Sequence, residues 1–345
     1  MHNPNYEICS YALGNGRNGK VYKIKEINSP HTILIAKIYE YKRRNQFEKE
    51  KFILSKISNS DNNILNDYLV HSKNINVRLR HSELFKGDST LLVFDFFKHG
   101  KILDYISFGT FGKPLCELYT KLLAYKLLLG LKKCHDNNII HNRIEMNNIM
   151  FDENFNPKII HFGEAKINYN YENDFFKLAI VLIELLTCRQ IISYEYKRKI
   201  NKYVFKFYNR RNHFQVNSCE ESKFWKTLEI TKNIKLSAEF INFFHILVSP
   251  HKKPNINDLL NNEWLKDVKL YQKEIEKNLK EDFTNNYLIL LQSEKLLDVY
   301  NNNINMNLII NFDEMNAAHN QTSLIDGLIA NEIKIQQKKA DSSPN

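Results

Sequence analysis

The residues of this chain that could do chemistry fall into two groups. The first is Leu13-Gly14-Asn15-Gly16-Arg17-Asn18-Gly19-Lys20-Val21, followed by Lys37 and Glu50. Three glycines let a turn between strands approach phosphates and offer them backbone N–H groups. A strand lysine would add positive charge, and a glutamate could orient it. The second group is Ile140-His141-Asn142-Arg143-Ile144-Glu145-Met146-Asn147-Asn148-Ile149-Met150, then Ile159-Ile160-His161-Phe162-Gly163-Glu164. Its chemistry is limited. Arg143 cannot act as a base, because a guanidinium stays protonated and has no acceptor lone pair. His161 is a poor ligand for a hard cation such as magnesium, which prefers oxygen. Asn148 alone would hold such an ion weakly. Each residue also has a plain reading: a tight hairpin needs glycines for conformation alone, single Lys and Glu residues are most often solvated, and His141 alone reads as a core histidine.

Those groups need elements to place them. Tyr6 to Ala12, Lys20 to Glu26, Ile33 to Tyr39 and Leu91 to Phe97 are rich in β-branched and aromatic residues and read as strands. Asn45 to Ile57 has helical periodicity, with Phe47, Leu54 and Ile57 apolar among Glu48, Lys49, Glu50 and Lys51. From about residue 101 the character becomes helical. Leu118 to Cys134 carries an apolar stripe, and Phe175 to Leu186 is apolar all round, as in a buried central helix. Past about 267, Val268, Tyr271, Ile275, Leu279, Phe283 and Tyr287 recur at spacings of three or four, placing one apolar face on a helix. A second apolar segment, Leu324 to Ile335, precedes a polar end, Gln336 to Asn345, expected to fray.

Composition bounds the function classes. The formal charge is +10 and Asn supplies roughly one residue in eight, so single Asn or Lys residues carry little weight. The densest basic run, Lys197 to Arg211 with Lys202, Lys206, Arg210 and Arg211, reads as a solvated face, and no nucleic-acid partner is expected. Cys9, Cys116, Cys134, Cys188 and Cys219 show no close pairing, the N-terminus is too polar for a signal peptide, and the apolar run Leu178 to Thr187 is far short of a membrane span. An intracellular, most simply cytoplasmic, protein with reduced thiols is the expectation.

Taken in order, these residues resemble the eukaryotic serine/threonine protein kinases, nearest the calcium/calmodulin-dependent branch. The glycine turn, Leu34-Ile35-Ala36-Lys37 against V-A-I-K, Glu50 on the next helix, and Leu92-Val93-Phe94-Asp95-Phe96-Phe97 against the hinge strand all fall in sequence. His141 to Asn148 lies against H-R-D-L-x-x-x-N, and His161-Phe162-Gly163 against D-F-G. Asp174-Phe175-Phe176-Lys177-Leu178-Ala179 is similar to the start of the buried large-lobe helix. Phe224-Trp225-Lys226 and Asn262-Glu263-Trp264-Leu265 complete the pattern. The resemblance implies an α+β, bilobal protein-kinase-like fold over residues 6–265. A small β-rich N-lobe would cover about 6–97 and a large helical C-lobe about 98–265, with a helical C-terminal extension over 266–345. It implies an ion pair between Lys37 and Glu50, a structural role for Asp174 beneath the catalytic loop, and an apolar stack of Leu54, His141 and Phe162. ATP contacts would fall on Leu13, Gly14, Gly16, Gly19, Val21, Ile35, Lys37, Glu50, Asp95, Phe97, Asn148 and Met150.

The departures lie where the chemistry is. Arg143 stands in place of the catalytic Asp, His161 in place of the magnesium-binding Asp, and Glu145 in place of the catalytic-loop lysine, bringing negative charge toward the phosphate. Only thirteen positions separate His161 from Asp174, with no A-P-E motif, and Lys253 replaces that motif's usual arginine partner. Ile35 replaces a small alanine and should crowd the base. The resulting expectation is a pseudokinase, with no catalytic residue among Arg143, Glu145 and His161. It would act as a scaffold or allosteric regulator for protein partners such as an active kinase or a signalling complex. ATP would be held weakly, and magnesium at best through Asn148. Two alternatives are an atypical active serine/threonine kinase that recruits Glu164 to hold a cation, and a nucleotide sensor without phosphoryl transfer. As a loop residue, Glu164 otherwise reads as a solvated carboxylate.

Overall fold

The structure is a computed structural model of the 345-residue chain and describes residues 6–9, 13–16, 19–26, 29–58, 73–74, 90–105, 115–187, 235–248 and 254–304. The chain divides into two compact units, Met1–Thr284 and Asn285–Asn345. In the second, residues 285–304 are helical. The basic run Lys197–Arg211, Phe224-Trp225-Lys226, Lys253, Cys188, Cys219, the side chain of Tyr287 and the segment 324–345 lie outside the described residues.

The N-terminal region is β-rich. Strands β1 (Tyr6–Ile8), β2 (Gly14–Gly16), β3 (Gly19–Glu26), β4 (Ser29–Tyr39), β5 (Lys73–Asn74) and β6 (Thr90–Asp95) form one antiparallel sheet in the order β1-β3-β4-β6-β5, with β2 folded back on β3. Alternation along β4 sorts its side chains. Leu34, Ala36 and Ile38 join Tyr22, Ile24, Leu91 and Val93 in an apolar cluster. Ile35, Lys37 and Tyr39 therefore share the opposite face. The first strand is shorter than the run Tyr6–Ala12: Cys9 leaves the ladder, although its N–H still donates to the Lys23 carbonyl at 3.0 Å. β4 starts at Ser29 rather than Ile33, because Ser29 pairs with Glu26 beyond a register shift in the ladder. Phe96 and Phe97 fall past the end of β6, where the chain turns and Gly100 N–H donates to the Phe97 carbonyl at 3.1 Å. Gly100 has φ +71, a conformation that suits glycine.

Helix α1 (Arg44–Ser58) buries Phe47, Glu50, Ile53, Leu54 and Ile57 on one face and exposes Glu48, Lys49 and Lys56 on the other. It packs against β6 and against the turn Phe162–Glu164. The remainder is mainly helical: a single turn α2 (Ile102–Asp104), then α3 (Glu117–Asp136), α4 (Glu172–Thr187), α5 (Ala238–Val248), α6 (Ile256–Leu260) and α7 (Lys266–Ile304). Two short antiparallel strand pairs, β7 (Ile139–Ile140) with β10 (Lys166–Ile167) and β8 (Ile149–Phe151) with β9 (Pro157–Ile159), lie between α3 and α4 in sequence.

Packing does not stop at residue 265. Val268, Ile275, Leu279 and Phe283 of α7 are buried, and the Phe283 ring lies 5.1 Å from Tyr105, 5.3 Å from Phe151 and 5.7 Å from Phe155, centroid to centroid. Lys126 of α3 pairs with Glu276 at 2.8 Å, and Lys121 with Asp267 at 2.8 Å. Tyr271, placed on the apolar stripe by spacing, is instead 58% exposed. Its backbone departs from helical values (φ −122, ψ 23), and this kink shifts the phase of the helix so that the stripe passes from Val268 to Ile275 without it. Among the described residues no helix is long and apolar enough to cross a membrane. Cys9 and Cys116 are exposed free thiols and Cys134 a buried one.

Candidate functional site

Lys37 projects from β4 toward α1, where its Nζ donates to both oxygens of Glu50, at 2.9 and 2.7 Å. The pair is almost dry, with side chains 6% and 2% exposed. A third group completes it: the Tyr39 hydroxyl donates to Glu50 Oε2 at 2.7 Å. Burial, and then the Glu50 charge, push the Tyr39 pKa far up, so it stays a neutral donor. Sequence reasoning missed Tyr39, although it sits two residues after Lys37 on a strand and so shares its face.

The glycine turn touches this group through β3. Gly19 has φ +144, and a Cβ there would meet the Ile38 carbonyl oxygen at 2.7 Å and Lys37 Cγ at 3.5 Å. The conformational reading is sufficient for Gly19: no side chain fits. β2 and β3 pair Gly14 with Val21 and Gly16 with Gly19, and Leu13 N–H donates to the Val21 carbonyl at 2.8 Å.

The second group rests on Asp174, near the start of α4. Its buried carboxylate accepts the backbone N–H of His141 at 2.8 Å and of Asn142 at 2.7 Å, and His135 Nε2 lies 3.1 Å away. Asn173 adds a side-chain bond to Asn142 Oδ1 at 2.7 Å. His141 is fixed further: Nε2 donates to the Ile160 carbonyl at 3.0 Å and Nδ1 accepts Arg143 N–H at 3.3 Å, a combination that requires neutral imidazole. Burial lowers its pKa accordingly. Its ring meets Phe162 edge to face at 4.7 Å.

Arg143 gathers the remaining groups. Nε donates to Glu145 Oε1 at 3.2 Å, and Nη1 reaches Glu164 Oε1 at 3.1 Å and His161 Nε2 at 3.3 Å. Asn148 turns its amide nitrogen to the Arg143 carbonyl at 3.0 Å and to Glu145 Oε1 at 3.2 Å. His161 sits at φ +75, an uncommon conformation for a residue other than glycine. Its pKa is pushed down to about 4, by burial first and then by the Lys37 charge, with Glu50 opposing and Arg143 adding. The imidazole is thus neutral near pH 7 and can accept from Arg143. Among the described residues, no three His, Cys, Asp or Glu side chains are placed to share a metal ion.

Comparison with known proteins agrees with this arrangement. Residues 9–171 match the protein kinase domain family. Over those residues the chain is similar to protein kinases. A probable serine/threonine-protein kinase of Dictyostelium discoideum is 28% identical over 181 residues, which are 47% of this chain and 11% of that protein. The NUAK family SNF1-like kinase 1 of Mus musculus is 25% identical over 177 residues, 50% of this chain and 23% of its own length. The ovarian-specific serine/threonine-protein kinase Lok of Drosophila melanogaster is 24% identical over 224 residues, 56% of this chain and 43% of Lok. The chain therefore spans less than half the length of each of these relatives.

The other expected site residues are more scattered. Ile35 is half-buried on the Lys37 face, paired in register with Lys23 and Phe94. Asp95 is exposed at the end of β6, and Phe97 is half-buried in the turn that follows. Met150 lies on β8, bridged to Lys101. Leu13 is 53% exposed. Glu164 lies on a short helical turn; it is exposed, in keeping with a solvated carboxylate, and is paired with Arg143. That contact joins residues 21 positions apart, and no local pattern announces it.

Proposed function

We propose that this kinase-like domain transfers no phosphate and works as a pseudokinase. In this reading the β-rich region is a small lobe, the helices form a large lobe, and the whole is a scaffold or allosteric partner for an active kinase or signalling complex. The observation that carries the reading is Arg143 at the centre of Glu145, His161 and Glu164. Phosphoryl transfer depends on a carboxylate that orients the acceptor hydroxyl and on metal ions that bridge the phosphates. A guanidinium can do neither. The donors do not suit magnesium either. His161 offers a neutral nitrogen already bonded to Arg143, the Asn148 amide nitrogen is engaged, and Glu164, the one candidate for rescue, is paired with a fixed cation.

The connection after His161 supports the same reading. Lys166–Ile167 pairs at once with Ile140–Ile139, Asn168 N–H donates to the Asn138 carbonyl at 2.8 Å, and α4 begins at Glu172. This leaves little chain for a peptide-binding platform. The reading does not depend on which kinase branch the resemblance is nearest. Purified protein is expected to leave generic peptide substrates unphosphorylated, and the double variant Arg143→Asp/His161→Asp to stay very low in activity. Robust magnesium-dependent phosphorylation by the parent, abolished by Lys37→Ala, would overturn the reading.

A further inference from the structure

Phe155, in the turn of the β8–β9 hairpin, has φ +60 and is 2% exposed. A left-handed backbone is costly for a bulky aromatic residue and persists only where the surroundings fix it. Its ring stacks on His99 at 4.0 Å, in the segment after β6, and meets Tyr105, Phe151 and Phe283 edge to face at 5.6, 5.8 and 5.7 Å. Phe283 belongs to α7, and α7 holds the same turn at two further points. Lys280 Nζ donates to Asn154 Oδ1 at 2.9 Å. Glu276 pairs with the buried Lys126, whose Nζ also donates to Asn156 Oδ1. Positions 276, 280 and 283 lie on one face of a helix, and their contacts fall on Asn154, Phe155 and Asn156 in a row.

The turn is stiff enough to pass on what happens to it. Asp152 Oδ1 accepts the N–H groups of Asn154 at 2.9 Å and Asn156 at 2.8 Å, and Asp152 N–H donates to the Asn156 carbonyl at 3.1 Å. Strands of only three residues then join it to the site. Asn148 directly precedes β8, Ile160 and His161 directly follow β9, and Ile160 N–H closes the base on the Asn148 carbonyl at 3.0 Å. The Ile160 carbonyl in turn accepts from His141 Nε2. On the outer side, Phe151 N–H donates to the Gly100 carbonyl at 2.9 Å. A shift of the turn therefore reaches Asn148 and His161 through a paired ladder.

We propose that α7, over Lys266 to Thr284, is a strap on this hairpin: Asn148, Ile160 and His161 keep their places only while Glu276, Lys280 and Phe283 hold the turn, and loosening either end loosens the other. The strap makes α7 a handle on the site, since whatever lifts the helix also frees the hairpin. It goes beyond the inactive reading and does not depend on it.

The test is amide hydrogen exchange of the full chain, read by mass spectrometry. In Phe283→Ala, exchange should rise about tenfold or more in residues 266–284 and also in residues 146–161, with β3 and β4 unchanged. Phe155→Gly suits the left-handed backbone and removes the ring; it should raise exchange in α7 in return, because coupling between two sites is reciprocal. Phe283→Leu, which refills most of the space, should restore most of the protection. The His161 ring resonance, assigned by its loss in His161→Asn, reports on the site itself. Its titration midpoint, near 4 in the parent, should rise in Phe283→Ala as water gains access to the ring. Should Phe283→Ala fail to fold, Phe155→Gly and Lys280→Ala carry the same readouts. Protection lost only on the side that was altered, an equal rise across the chain including β3 and β4, or a His161 midpoint unmoved in a variant whose hairpin exchanges faster would each overturn the strap. Transfer of labelled phosphate, assayed separately, bears on the inactive reading alone.

Discussion

Lys37–Glu50 and Arg143–Glu164 are both cation–carboxylate pairs at hydrogen-bond distance, 2.7 and 3.1 Å, but their surroundings differ. The first is closed off, 6% and 2% exposed, with Tyr39 as a third donor. The second is 39% and 50% exposed and shares its guanidinium with Glu145 and His161. Burial decides what each can do. A dry pair strands a charge when one partner is lost, whereas a wet pair loses only what water replaces. The features shared with kinases are thus built into the packing between β4 and α1. The departures occupy a half-open surface, where groups can change or exchange partners without unfolding the domain.

The largest expected effect follows from breaking the closed pair. Glu50→Ala leaves Lys37 buried with no carboxylate and should destabilise the chain by about 3–5 kcal/mol, measured by urea denaturation. The double variant Lys37→Met/Glu50→Leu removes both charges and should recover most of that loss. If Glu50→Ala alone unfolds at the parent's denaturant midpoint, the pair is far wetter than its geometry indicates.

A smaller effect reports on His161, between the two cations. Its folded pKa is held near 4, against an ordinary value of about 6.5. Between those values the unfolded chain binds a proton that the folded chain refuses, so stability falls as pH drops from about 6.5 to 4 and this group adds nothing further below that. Allowing for its partial exposure, the loss is about 2 kcal/mol. His141, also held neutral by burial, contributes to the same limb. The informative quantity is therefore the difference between parent and His161→Asn, since Asn tolerates the left-handed backbone at this position. Urea midpoints at pH 7 and pH 4 should show a shallower acid loss in the variant. Equal acid limbs would mean that His161 is well solvated.

The closed region was legible only in part from local rules. Composition and periodicity announce the strands and α1, but they leave Glu50 among the charged residues of that helix, and it was the kinase resemblance that gave both its pairing with Lys37 and the place of Asp174 under His141 and Asn142. The open region was legible only in residue types. That Arg143 cannot be a base follows from its chemistry. That it reaches Glu164 and His161 depends on two turns meeting in space, which no periodicity encodes. Tyr271 shows the same limit in a helix: an i, i+3 spacing presumes an unbroken phase, and the kink there breaks it.

Lys126–Glu276 lies between the extremes, 3% exposed on the lysine side and 35% on the glutamate side. Burial raises the Glu276 pKa, but the hydrogen bonds from Lys126 and Gln272 outweigh it and the net shift is downward. Glu276→Gln keeps the shape and removes the charge. Asn156 still accepts from Lys126, so the expected loss is about 1–2 kcal/mol, again by urea denaturation. A value as large as that for Glu50→Ala would show that the exposure of one partner does not soften such a pair.

The smallest stability effect belongs to Glu164→Gln. Both members of its pair are wet, and Arg143 keeps Glu145 and His161 as acceptors, so the change should cost less than about 1 kcal/mol. What remains of it should fade when salt is raised, because ions screen an exposed pair and hardly touch a buried one. Glu50→Ala serves as the contrast, since its loss should persist at high salt. A large, salt-insensitive loss of stability in Glu164→Gln would mean that Arg143 is a structural clamp, and the contrast between a closed and an open pair would then collapse.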